Sequence, residues 1–229
     1  MTQSDTAWRA PIKLEDKAMN KYTLAIGDYA KSSWSMRAWL VLKTAGVPFD
    51  TVQVRLEQSD TYANILRYSP SAKVPALILE DGVVNDSLAI AETIAEKFPQ
   101  AGLWPSNEIL RAKARSAAAE MHSGFVNLRT QLPFGVATGE RVEKMLPETR
   151  WEIDRVFNIW RDLRAASRTT EFLCGDFGIV DAMFAPVVFR FRRFGIEIPT
   201  DLKSHITAVL HYSPVIEWLT LAEKESRAN

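Results

Sequence analysis

The stretch "AKSSWSMRAW", residues 30–39, sets Ser32, Ser33 and Ser35 around Trp34 and ahead of Arg37, where an apolar run gives way to helical spacing. A helix start carries free backbone N–H groups and the positive end of the dipole, so it holds anions. A hydroxyl placed there donates to a thiolate or a carboxylate. Capping uses the same physics: one hydroxyl satisfies an orphan N–H, and the others bond locally or face water. "NDSLAI", residues 85–90, is a second place of this kind. Ser87 is a natural N-cap, and Asp86 beside it suits a ligand that brings an ammonium together with a carboxylate, as an amino acid does. Between the two, "SPSAKVPAL" puts Val74-Pro75 at the start of an apolar run, where Pro removes a ladder donor. The general preference for X-Pro bonds is trans, cis being about one in twenty. A cis bond would turn the Val74 N–H and C=O outward toward an extended peptide.

The elements that must position these residues follow from periodicity. "YTLAI" (Tyr22 to Ile26) is β-rich, and helical spacing then runs to Ala45 and stops at Gly46. Val52, Val54 and Leu56 alternate with Gln53 and Arg55 as a second strand, and "TYANILRY" is a short helix. "PALILEDGVVND" is two apolar runs about Asp81-Gly82, a hairpin signal. Leu88, Ala91, Ile94, Ala95 and Phe98 line one helix face until Pro99. The order βαβαββα is a thioredoxin-like arrangement over 21–99. "PQAGLWPSN" breaks the pattern, which makes 100–107 a linker, and 108–229 reads as an all-helical domain. Its expected helices run from Glu108 to Leu132, from Thr149 with Glu152 at capping-box spacing, along "GIVDAMFAPVVFRFRRFG", and from Ser213-Pro214. Trp151, Val156, Phe157, Trp160 and Leu163 are expected to form the core stripe of the second of these. Residues 1–20 show neither period and read as an N-terminal extension.

Composition narrows the chemistry. Lys plus Arg and Asp plus Glu are both 28, so no basic field calls for nucleic acid or an anionic membrane. A small molecule or a protein is the expected partner. Cys174 is the single cysteine, which excludes an intramolecular disulfide framework, a Cys-x-x-Cys pair and a thiolate-rich zinc site, and a reducing cytoplasm is the expected home. No continuous apolar run approaches a membrane span, and the N-terminus lacks a secretory h-region. His205 and His211 lack the neighbours of a metal site, so no metal is expected.

Taken together, "SSWSMR", "SPSAKVPAL", "NDSLAIAETIAEKFP" and "FGIVDAMFAP" resemble the cytosolic glutathione S-transferases of the serine-using type, near bacterial relatives of the zeta, tau and phi classes. The resemblance covers about Tyr22 to Ala222. It implies glutathione as co-substrate, with Ser32 as the thiolate partner and Ser33 and Ser35 in reserve. It implies a cis Val74-Pro75 bond whose main chain pairs the cysteinyl unit, Lys73 near a ligand carboxylate, and Asp86 with Ser87 on the γ-glutamyl group. It further implies a small hydrophobic electrophile against Met121, His122, Phe125 and Arg129, and a homodimer packed near Ala114 to Met121. The glycine carboxylate has no assigned contact, because "YSP" stands where many members have Asn-Pro. Cis-trans isomerisation and peroxide reduction would use the same thiolate. A noncatalytic scaffold of the same fold, binding a protein partner, is the alternative from another class.

Overall fold

The computed structural model describes residues 21–169 and 171–227, so the extension expected at 1–20 lies outside the described residues. Four short strands form one sheet in the order β2-β1-β3-β4: β1 (Thr23–Ile26), β2 (Asp50–Gln53), β3 (Ala76–Leu79) and β4 (Gly82–Asn85). β1 is buried along its whole length, as a central strand flanked by helices must be, whereas the edge strand β2 alternates. It pairs parallel to β2, with Thr23 opposite Asp50, and antiparallel to β3, with Leu24 opposite Leu77. β2 starts at Asp50, ahead of the alternation over residues 52–56, and stops at Gln53. The Val54 N–H still reaches the Ile26 carbonyl at 2.8 Å. The β3–β4 hairpin turns at Glu80 and Asp81, so Gly82 opens the next strand.

Three helices belong to this half: α1 (Ser33–Thr44), α2 (Thr61–Leu66) and α3 (Ser87–Lys97). Then come α4 (Glu108–Ser123), α5 (Val126–Gln131), α6 (Pro147–Ser167), α7 (Ile179–Arg193), α8 (Lys203–His211) and α9 (Ser213–Arg227). The thioredoxin-like sheet half followed by a helical half is therefore the fold that the sequence pattern implies. α1 packs against α3, α7 and α9, and one hydrophobic core runs through both halves.

Three expectations in the helical half need correction. The helix drawn from Glu108 to Leu132 breaks at Gly124 and Phe125, where Phe125 takes a left-handed backbone (φ 60°). A Cβ on Gly124 would meet the Glu120 carbonyl oxygen at 2.9 Å. α6 starts at Pro147, not after Thr149, because a Pro at the first helical position gives up no hydrogen bond. That places Thr149 and Glu152 inside the helix, and Glu152 reaches across to cap α5: it accepts from the N–H groups of Asn127 (3.3 Å) and Leu128 (2.6 Å). Trp151 is 68% exposed and leaves the core stripe, while Val156, Phe157, Trp160 and Leu163 stay in it. The start of α7 is also explained by space. A Cβ on Gly178 would lie 2.7 Å from the Leu103 carbonyl oxygen, so no Ser or Thr fits there. Asp181 takes up the slack by accepting from both Leu173 N–H (2.9 Å) and Gly178 N–H (3.1 Å).

Candidate functional site

The loop between β1 and α1 is held from three directions. The Asp28 carbonyl accepts from the N–H of Ser32 at 2.8 Å, and the Asp28 carboxylate accepts from Leu56 N–H at 2.8 Å. Glu225 on α9 accepts from the N–H groups of Tyr29 (3.1 Å) and Ala30 (3.0 Å). So fixed, the loop delivers Ser32 as the N-cap of α1. Its hydroxyl accepts from Ser35 N–H at 3.3 Å and donates to the Ser35 hydroxyl at 2.7 Å. The Ser35 oxygen also accepts from Gly27 N–H at 3.1 Å, which ties the helix to the end of β1. Ser35 has no exposed surface, so its place is structural and no ligand reaches it directly. Ser33 is buried, with Arg190 Nη2 at 3.5 Å from its oxygen.

At α3 the cap falls one residue earlier than expected. Asp86 is the N-cap: one carboxylate oxygen accepts from the N–H groups of Leu88 (2.8 Å) and Ala89 (3.2 Å). Its backbone is at φ 79°, a region in which Asp is enriched among non-Gly residues. The other oxygen lies 3.1 Å from His122 Nε2 on α4. Ser87 thereby becomes the first helical residue, and its buried hydroxyl has no hydrogen-bond partner among the described residues. The segment leading to β3 is pinned by Ser69, which donates to the Asn85 side chain at 2.7 Å. The Val74–Pro75 peptide is cis, Pro75 is buried, and Lys73 is exposed.

Trp34, a residue that sequence reasoning passed over, organises the space between these two helix starts. Its ring lies 4.5 Å from the Arg37 guanidinium, 4.8 Å from that of Arg129, and edge-on to His122 at 5.3 Å. Arg37 is fully buried, and none of its three guanidinium nitrogens has a hydrogen-bond partner among the described residues. Burial, reinforced by the charges of Arg129 and Arg190, pushes its pKa well below the ordinary value. Arg129 donates through Nε to the Gly124 carbonyl at 3.0 Å and through Nη2 to the Met121 carbonyl. Of the residues expected to line an electrophile pocket, Met121 has no exposed surface and Phe125 is buried, so both belong to the core. His122 and Arg129 remain at the site. Arg190 was also missed, although an arginine amid "FAPVVFRF" is a signal in itself, since a charge in an apolar helix face needs a reason. Cys174 offers no nucleophile: burial pushes its thiol up to about 12.

Residues 31–97 match the family model described as "Glutathione S-transferase, N-terminal domain". The "Glutathione S-transferase zeta class" protein of Euphorbia esula is 28% identical over 60% of this chain and 62% of that protein. Over residues 31–97 the chain carries a glutathione S-transferase N-terminal domain. The chain is also similar to the "Stringent starvation protein A homolog" of Haemophilus ducreyi, at 24% identity over 77% of this chain and 80% of that protein. The crystal structure of a glutathione transferase homolog from Burkholderia gl BGR1, solved with bound glutathione, superposes with a TM-score of 0.64. It is 23% identical and covers 89% of this chain and 98% of that one, a shared glutathione S-transferase fold.

Proposed function

We propose that this chain binds reduced glutathione and holds its sulfur as a thiolate at the start of α1, for attack on a small electrophile. The observation that carries the reading is the Ser87 hydroxyl at the start of α3, buried and without a hydrogen-bond partner among the described residues, in the position next to the Asp86 carboxylate. On this reading the Ser87 hydroxyl and the positive end of α3 take the γ-glutamyl carboxylate, and the Asp86 oxygen that does not cap the helix takes the ammonium in place of His122. Val74 offers its main chain to the cysteinyl unit, and Lys73 lies near a ligand carboxylate.

The chemistry asked of the protein is electrostatic. A thiol with pKa near 8.5 is only about 3% ionised at pH 7, and lowering that value by two units leaves about three-quarters ionised. Ser32 supplies the hydrogen bond. When its proton turns to the sulfur, the Ser35 hydroxyl, still accepting from Gly27 N–H, turns its own proton to the Ser32 oxygen, and every donor keeps a partner. The thiolate then forms the bond to carbon while the leaving group departs with its electron pair, or adds reversibly to a double bond in the isomerase variant. That a relative in Caenorhabditis elegans, 34% identical over 41% of this chain, is named "Probable maleylacetoacetate isomerase" supports keeping the variant.

Calorimetric titration with reduced glutathione and with S-methylglutathione tests the reading. Ser87→Ala should weaken both by about tenfold, the loss of one hydrogen bond to a charged group. The scaffold alternative is favoured by one observation: the Ser32 and Ser33 hydroxyls both have partners inside the protein, as a fold without chemistry would also arrange. Absence of heat with either ligand decides for the scaffold. We further propose a two-fold homodimer. Ala114, Ala118 and Met121 face the subunit's own core, so the contact would use the other side of α4, at a groove of about 600 Å³ lined by Lys113, Ser116 and Arg155. Light scattering that returns a monomer at micromolar concentration would reject it.

A further inference from the structure

His122 and Asp86 meet across the two halves of the fold. Asp86 caps α3, and His122 sits in the last turn of α4, one residue before that helix ends at Ser123. The two Asp86 oxygens do different work. One is committed to the Leu88 and Ala89 N–H groups at 2.8 and 3.2 Å, and the other lies 3.1 Å from His122 Nε2. A carboxylate only accepts, so Nε2 carries the proton in this contact. Arg37 feels the Asp86 charge but makes no hydrogen bond to it among the described residues. The ring itself is poorly satisfied where it stands. His122 Nδ1 is buried without a hydrogen-bond partner among the described residues, whereas a histidine kept only for packing has both nitrogens paired or in water. Its remaining neighbour here is Trp34, met edge-on at 5.3 Å. The His122 and Asp86 side chains are 28% and 46% exposed, so the pair lies at the rim of the site and can part without opening the core.

We propose that His122 is a built-in competitor for the amine subsite at Asp86, and that its displacement sets how tightly the chain binds glutathione and how strictly it requires the α-amino group. The inference deepens the glutathione reading above and rests on it. An ammonium brings a full charge to the same oxygen, but it gains the whole of that charge-assisted bond only once the imidazole has let go. The apparent dissociation constant is then the intrinsic one divided by the fraction of molecules in which the ring has left Asp86. A ligand without the ammonium has no means of displacing the ring and binds with the His122–Asp86 contact intact. The preference for the amine is therefore smaller than Asp86 alone would confer.

Reduced glutathione and N-glutaryl-cysteinylglycine are the probes; the second has the same carboxylates and thiol, with a hydrogen in place of the α-amino group. Both are titrated calorimetrically into the full chain and into His122→Phe, which keeps a ring against Trp34 and cannot donate. Glutathione should bind the variant about three- to tenfold more tightly, and the glutaryl compound should bind both proteins within about twofold. The His122 ring resonances, assigned by their loss in the variant, should move when glutathione is added to the parent and move far less with the glutaryl compound. His122→Ala repeats the titrations should His122→Phe not fold. Unchanged or weaker glutathione binding in the folded variants, or an equal gain for the glutaryl compound, overturns the competitor while leaving glutathione as the ligand. Heat with glutathione in the variant but not in the parent supports it. No heat with glutathione in any of the proteins overturns the glutathione reading, and the competitor with it.

Discussion

At the residue scale the serines divide by what their oxygens touch. Ser35 is an interior strut, and Ser32, which donates to it, is the sulfur's donor in the proposed reading, which gives a graded expectation. Ser32→Ala should remove one charge-assisted hydrogen bond, about 1.5 to 3 kcal/mol, and slow turnover by roughly ten- to a hundred-fold with a raised thiol pKa. Ser35→Ala should raise the thiol pKa by less, since it removes only the support behind Ser32, but should lower the melting temperature more, because Gly27 N–H loses its acceptor. Ultraviolet absorbance of bound thiolate against pH, with a melting curve for each variant, reads both effects. A raised pKa in Ser33→Ala alone would move the sulfur contact to Ser33. The α1 cap was legible because Ser at a strand-to-helix junction has few other uses. The α3 cap was not: Asp and Ser are both good caps, and only the positive φ at residue 86, which no sequence pattern announces, decides between them.

At the element scale the informative failure is the break between α4 and α5. Periodicity runs through Gly124 without a fault, so a single helix to Leu132 is the natural reading of residues 108–132. The break is sustained by a tertiary contact, the Glu152 carboxylate of α6 accepting from two backbone N–H groups and from the Asn127 side chain at 2.8 Å. A local pattern cannot report a partner some two dozen residues away. Replacing Glu152 by Ala should leave those donors buried and unpaired and cost about 2 to 4 kcal/mol, whereas Glu152→Gln, which keeps one acceptor, should cost roughly half of that. Denaturant melts of the two variants check the order. A Glu152→Ala protein as stable as the parent would mean that α5 caps itself by other means.

For the whole molecule, two buried groups of the helical half set opposing limits on stability against pH. Burial pushes His205 down to about 4 from an ordinary 6.5, with its Nδ1 held at 2.9 Å from the Glu171 carbonyl. The unfolded chain therefore binds the proton more readily than the folded one, and stability falls as pH drops from about 6.5 through 4. Asp181 is the converse. Burial raises it from 3.8 to about 7 despite the two N–H groups it accepts, so the folded state keeps the proton and its contribution is lost as pH rises from about 4 through 7. His205→Phe should flatten the acid limb of a stability profile and Asp181→Asn the limb approaching neutrality, as read from urea midpoints between pH 4 and 8. Unchanged slopes in both variants would refute the assignment. The layered order of sheet half and helical half was legible because each element carries its own period. Which buried polar residues would face one another across the halves was not, since Arg37, Arg129 and Arg190 are brought together only by packing.

The hold of α9 on the loop ahead of Ser32 also has a consequence in time. Glu225 lies 196 residues beyond Tyr29, and Trp218, which donates to the Tyr29 carbonyl at 3.0 Å, lies 189 beyond it. At a synthesis rate of about 5 to 20 residues per second, that loop waits roughly 10 to 40 s on the ribosome before the side chains that fix it have been made. The sheet half can collapse early in that interval, but its candidate thiolate cradle is among the last parts of the nascent chain to become rigid.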